Sequence, residues 1–173
     1  TRLTKDCELP DDYMVNYQYE WMGYNLKPLE IQSAILIEQM KRMKTFDKTR
    51  KKNYNRLYEF FQTVDRGIKT WKIDKDISPF SFPILLPPDE KFRRKHIIDH
   101  LRRDKIECRV LFGGNLMKHP AYYNKKHLWD SYGNFDNSDA LLERFLMLGV
   151  SQINTEEDID KVISSLKDFF IRW

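Results

Sequence analysis

The sequence predicts an α+β fold, a small open sheet with helices packed on one face. Three features predict it. Two short segments, 78–87 and 106–112, are bounded by proline or glycine and carry strand-like apolar residues. Five longer stretches carry apolar residues at helical spacing and lie before, between and after those segments. The chain, 173 residues with 41% apolar composition, is long enough for one compact domain with a core.

Residues 1–22 read as irregular: "LPDD" is a turn signal, and Tyr13, Tyr17, Tyr19 and Trp21 cluster after it. Pro28 suits the first turn of a helix, where its missing N–H is no loss. Ile31, Ile35, Met40 and Met43 then recur at helical spacing, which predicts a helix over 28–45. "DKTRKKNYNRLYEFFQTV" predicts a second helix with Tyr54, Leu57, Phe60, Phe61 and Val64 on one face. Its charge run, Lys48 to Lys52, reads as a solvated face. Together these two helices carry apolar residues that need another surface to cover them. "SPFSFPILLP" reads as an edge strand because of its prolines. "DEKFRRKHIIDHLRRDK" is amphipathic, with Phe92, Ile97, Ile98 and Leu101 inward. "IECRVLF" is the second strand, broken by Gly113 and Gly114, and a loop rich in Tyr, His and Lys follows. "NSDALLERFLML" predicts a helix capped by Asn137 or Ser138, and "GVSQI" a third strand. The last helix opens with Thr155 and Asp158 spaced as a capping box.

Composition excludes several classes. The formal charge is +4, from 30 basic and 26 acidic residues, well short of a nucleic-acid footprint. No apolar run approaches about 18 residues, so no membrane span is expected, and no signal peptide is visible. Cys7 and Cys108 lie far apart without a CxxC spacing, which fits reduced thiols in a cytoplasmic protein and not structural zinc. His96 and His100 share a helix face but lack a third ligand; they read as a solvated face, and no metal is expected. The chain begins at Thr1 in a polar segment, as the middle of a larger protein or a processed terminus would.

Two positions allow two readings each. Asn25, just before Pro28, suits a helix cap or a left-handed turn residue. Arg109 lies in a strand that runs into Gly113 and Gly114; it suits anion binding or an ion pair with a neighbouring acid on the sheet surface. GxSxG, P-loop and GxGxxG patterns are missing, so residue chemistry alone names no catalytic site.

Several blocks taken together resemble the DegT/DnrJ/EryC1/StrS family: "GYNLKPLEIQSAI" with "EQMKRM", "RKKNYNRLYEFF", "SPFSFPILL", "IECRVLFGGNLMKHPAY" and "FDNSDALLERFLMLGVSQINTEEDIDKVI". The resemblance covers residues 10–172. These are fold-type I enzymes dependent on pyridoxal 5′-phosphate (PLP) or pyridoxamine 5′-phosphate that act on nucleotide-linked keto-sugars. The "LFGGN" block resembles the branch of C-3 dehydrases that make deoxysugars for lipopolysaccharide. The resemblance implies that 28–173 is the C-terminal small domain and 1–27 an inter-domain, active-site segment. The cofactor-binding large domain, with the lysine that holds the cofactor or the histidine that replaces it, would lie upstream, so no catalytic residue is expected in this chain.

By position, the resemblance assigns Asn25 to the cofactor phosphate of the partner subunit in a homodimer with shared active sites, and Lys27 to the same anionic site. It assigns Tyr17 to an active-site aromatic, and Arg109, Phe112 and Asn115 to the edge of the sugar-nucleotide pocket. Lys27 stands where relatives often have Arg, which weakens a bidentate contact. Gln152 and Asn154 stand where the family usually has Pro-Gly, and the iron–sulfur cysteines of one subfamily have no counterpart.

The expected function is therefore that of a 4-keto-6-deoxy-sugar C-3 dehydrase domain, inactive by itself. A nucleotide-sugar aminotransferase of the same family is the alternative. A non-catalytic binding module is a third reading: it would recognise RNA through Arg, Lys and aromatic side chains and lose affinity steeply with salt.

Overall fold

Glu30–Gln62 forms one continuous helix, α1, where the sequence predicts two. The polar stretch that suggested a break contains neither glycine nor proline. It is held by contacts one turn apart: Lys51 Nζ lies 2.7 Å from Asp47 Oδ2, and the Arg42 guanidinium lies 5.1 Å from the centre of the Phe46 ring. The computed structural model describes residues 28–89, 93–111, 114–118, 127 and 130–172. The chain divides into two compact units, Thr1–Lys41 and Arg42–Trp173. In the first, Leu29, Ile31, Ile35, Leu36, Ile37 and Met40 are 57–66% exposed.

The second unit contains a three-stranded antiparallel sheet. Its strands are β1 (Ser81–Leu85), β2 (Cys108–Arg109) and β3 (Phe145–Gly149), in the order β1-β3-β2. Phe82 pairs with Leu148, Ile84 with Leu146, and Cys108 with Leu148, so these side chains share one face. Three helices cover that face: the C-terminal half of α1, α2 (Arg94–Arg103) and α4 (Glu156–Arg172). Tyr54, Leu57, Phe82, Ile84, Ile97, Leu101, Leu148 and Phe169 form its fully buried centre. Tyr54 meets Phe82 edge-on at 4.8 Å, and Phe61 stacks on the same ring at 5.4 Å. The Tyr54 hydroxyl donates to the Trp71 carbonyl at 2.6 Å, and burial pushes its pKa up to about 12.

β3 is a correction to the sequence reading, which placed Phe145–Leu148 at the end of a helix and the strand at 149–153. Helix α3 stops at Arg144 (Asp136–Arg144) and the strand begins at once. All four residues from Phe145 to Leu148 are buried, on both faces of the sheet, so no polar alternation marks them as a strand. Arg94 from α2 fixes the junction, donating from Nη1 to the Leu142 and Phe145 carbonyls at 2.6 and 3.1 Å. Neither Asn137 nor Ser138 caps α3, which begins at Asp136 with no side-chain cap bond.

The turn between β3 and α4 is tied to α1. Asn53, 1% exposed, donates from Nδ2 to the Ser151 and Asn154 carbonyls at 3.1 and 3.3 Å. Arg50 Nε donates to Gln152 Oε1 at 2.9 Å. Lys52 pairs with Glu156 and Arg56 with Asp160, so these two cations of α1 face the acidic start of α4. The predicted capping box is present: the Asp158 N–H donates to Thr155 Oγ1 at 3.2 Å, and the Thr155 N–H to Asp158 Oδ2 at 2.8 Å. Among the described residues, no helix is long and apolar enough to cross a membrane.

Candidate functional site

Of the residues singled out in the sequence, Tyr17, Asn25, Lys27 and Phe112 lie outside the described residues. Arg109 and Asn115 lie within them, in different settings.

Arg109 ends β2 opposite Met147, on the sheet face away from the helical core. Alternation along the strand puts Glu107 on the same side. Arg109 donates from Nε and Nη2 to Glu107 Oε1 at 3.0 and 2.6 Å. The pair is open to solvent, with the two side chains 69% and 73% exposed, so it contributes little stability and is readily exchanged for another anion. Both residues line a cleft of about 620 Å³. Its apolar surface comes from Phe80, Ile106, Cys108, Met147 and Val162, and its charges from Lys105, Arg109, Lys161, Glu107 and Asp158. Three cations against two carboxylates suit a ligand with both an apolar part and a negative charge. Burial pushes the Cys108 thiol up, so Cys108 is no thiolate nucleophile in this cleft.

Asn115 is not part of that cleft. It is 4% exposed and packed against α3. Its Nδ2 donates to Asp139 Oδ1 at 2.7 Å, and its Oδ1 accepts the Met117 N–H at 3.0 Å, which starts a short 3₁₀ turn over Leu116–Lys118. Lys118 Nζ reaches the same Asp139 oxygen at 2.8 Å. The Lys118 ammonium and the Asn115 amide hold Asp139 below the usual carboxylate range, and Asp139 in turn raises Lys118. Gly114 makes this packing possible. Its φ is +55°, and a Cβ placed there would lie 2.8 Å from the Leu142 Cα.

Sequence reasoning missed Asp139, although both segments were singled out: Asn115 closes the "LFGGN" block and Asp139 closes the "NSD" triplet that opens the next helical block. It also misplaced His100. That residue is 5% exposed, with Nε2 2.8 Å from the Ser165 carbonyl, and not on a solvated face. Its partner lies 65 residues away, beyond the reach of any local pattern. Among the described residues, no group of three or more His, Cys, Asp or Glu could hold a metal ion.

The model of the DegT/DnrJ/EryC1/StrS aminotransferase family matches residues 4–167. The lipopolysaccharide biosynthesis protein RfbH of Salmonella typhimurium is 30% identical over 164 residues, covering 94% of this chain and 37% of that protein. The dTDP-4-dehydro-2,6-dideoxy-D-glucose 3-dehydratase of Saccharopolyspora spinosa is 31% identical over 163 residues, covering 93% and 35%. The solved GDP-4-keto-6-deoxy-D-mannose-3-dehydratase of E. coli with bound hydrated PLP superposes with a TM-score of 0.73 at 28% identity, over 90% of this chain and 40% of that one. Solved aminotransferases at 16–22% identity share the fold, with TM-scores of 0.68–0.74. The chain thus spans well under half the length of the relatives it matches.

Proposed function

Since the chain belongs to the DegT/DnrJ/EryC1/StrS aminotransferase family, we propose that it is the C-terminal domain, residues 28–173 with the inter-domain segment 1–27, of a nucleotide-sugar-modifying enzyme. The reaction we assign to the full-length protein is removal of the C-3 hydroxyl from a nucleotide-linked 4-keto-6-deoxy sugar, in the making of lipopolysaccharide deoxysugars. One observation carries this reading. Sugar 3-dehydratases are 27–31% identical to the chain over 91–93% of its length, whereas the solved aminotransferases in the comparison are 16–22% identical.

The cofactor of this reading is PLP or its amine form, which supplies an electron sink for breaking bonds beside the sugar carbonyl. The residues fit one end of it. Asn25 and Lys27 offer a side-chain amide and an ammonium just before α1, a donor set suited to phosphate. In this reading they reach the cofactor of a second copy in a homodimer. The cofactor ring finds no such set among the described residues. Asn53, His100, Asn115 and Ser165 are the buried polar side chains there, and each is engaged inside the small domain. The groups that move protons would then lie in the part of the protein outside this chain.

What this chain contributes is binding and orientation. Arg109 would exchange Glu107 for a phosphate of the nucleotide, with Tyr17 and Phe112 as apolar contacts and Asn115 at the pocket edge. Nothing in the reading calls for nucleic acid or a membrane, and Cys108, a free thiol, suits the cytoplasm.

The test is mass spectrometry of products formed by the full-length protein from GDP- and dTDP-linked 4-keto-6-deoxy sugars with PLP and an amino-acid donor. A product lacking one oxygen supports the dehydrase. A product carrying an amine in place of the ketone makes it an aminotransferase. No conversion of any nucleotide sugar overturns the reading.

A further inference from the structure

The Asn115 amide has one orientation open to it, and its neighbours set that orientation. A backbone N–H can only donate, so the Met117 N–H must meet Oδ1. An ionised carboxylate can only accept, so Asp139 Oδ1 must meet Nδ2. Asn115 is 4% exposed, and each end of its amide already meets a partner within the domain. Lys118, at the other end of the same turn, also ends on Asp139 Oδ1. The Lys118 N–H closes the turn on the Asn115 carbonyl at 3.1 Å. One carboxylate on the first turn of α3 therefore gathers both ends of the turn that follows β2. Gly114 lets the backbone come close enough to α3 for this to happen.

We propose that Asp139 is a positioning residue, and that Asn115 serves the sugar-nucleotide pocket through Asp139 and not by touching the ligand. Asp139 clamps the turn at Asn115–Lys118 against α3 and so fixes the end of the chain segment that leads from Arg109. This rests on the reading of Arg109 as a pocket residue. It moves Asn115 from the residues that touch substrate to those that hold the segment in place, and adds a residue that no motif marked.

The decisive experiment exchanges the pair. Asp139→Ala removes the shared acceptor, and Asn115→Asp sets two carboxylates face to face. The double variant Asn115→Asp with Asp139→Asn restores a hydrogen bond of reversed polarity and still offers Met117 an acceptor. The first readout is hydrogen exchange at the Met117 amide in this chain. Exchange should be roughly ten-fold faster or more in each single variant, as for a lost charge-assisted hydrogen bond, and return toward the original rate in the double variant. The second readout is steady-state kinetics of the full-length protein on its nucleotide sugar. KM should rise in the single variants with kcat changed less, and recover in the double variant. A double variant that restores the Met117 amide but not KM shows direct contact between Asn115 and the ligand and overturns the proposal. So does an Asp139→Ala variant that leaves exchange at Met117 unchanged. If the full-length protein converts no nucleotide sugar, the functional reading falls, while the exchange measurement still decides whether Asp139 holds the turn.

Discussion

Gly114 and Gly133 both have positive φ, +55° and +76°, but only Gly114 is crowded. Comparing Gly→Ala at the two sites separates backbone strain from steric contact. Left-handed backbone disfavours alanine by about 1–2 kcal/mol. The smaller conformational freedom of alanine in the unfolded chain offsets roughly 0.4–1 kcal/mol of that. Both contributions apply at both sites. At Gly133 nothing lies within 4 Å of the new methyl group, so Gly133→Ala should destabilise by no more than about 1.5 kcal/mol. At Gly114 the methyl group would lie 2.8 Å from the Leu142 Cα and Cδ1 and 2.9 Å from its Cβ. The Cα belongs to a helix backbone and cannot turn aside. Overpacking of this kind adds about 1–3 kcal/mol. For a domain of this size the difference corresponds to a Tm lower by roughly 2–12 °C in Gly114→Ala than in Gly133→Ala. Paired thermal melts and urea titrations measure it. If the two variants unfold within about 0.5 kcal/mol of each other, the close packing of this loop on α3 is refuted.

Three further predictions concern the frame around the site. Lys105 follows α2 with φ 59°, a conformation suited to glycine, so Lys105→Gly should stabilise by about 0.5–1 kcal/mol in urea titrations, after the entropy glycine adds to the unfolded chain. Asn53→Ala should destabilise by about 1–3 kcal/mol, since it leaves the Ser151 and Asn154 carbonyls without their buried donor, and hydrogen exchange should rise first in the turn before α4. Asp104, Asp139 and Glu156 are held below the usual carboxylate range, chiefly by hydrogen bonds from Ser165, Lys118 and Lys52 respectively. A carboxylate depressed in the folded state stabilises fully above its unfolded value, and that contribution disappears as pH falls through the folded one. Tm should therefore be flat near neutrality and drop below about pH 4, and Asp139→Asn should reduce the size of the drop.

The helices were largely legible in the sequence because each buries one face. Tyr54, Leu57, Phe60 and Phe61 fall on the side of α1 that periodicity selects, and Ile97 and Leu101 do the same in α2. Thr155 and Asp158 fixed the start of α4 three residues apart, within local reach. β3 was illegible for the opposite reason. A strand buried on both faces has no alternation, and "FLML" extends the apolar pattern of the helix before it.

The candidate site divides along the same line. The pairing of Arg109 with Glu107 joins residues two apart, Glu107 just before β2 and Arg109 within it, and a neighbouring acid was one of the two readings its sequence context offered. Asn115 and Asp139 lie 24 residues apart, and a sequence motif marks each without saying that they meet. What joins them is the fold. α3 must stop at Arg144 so that β3 can enter the middle of the sheet, and Arg94 holds that stop by taking two carbonyls at the junction. With its end fixed, α3 presents its opposite end, and Asp139 with it, to the loop leaving β2. The residues that define the turn were therefore placed by the strand that sequence periodicity could not see, which is why a motif could name Asn115 and leave Asp139 unmarked as the partner that holds it.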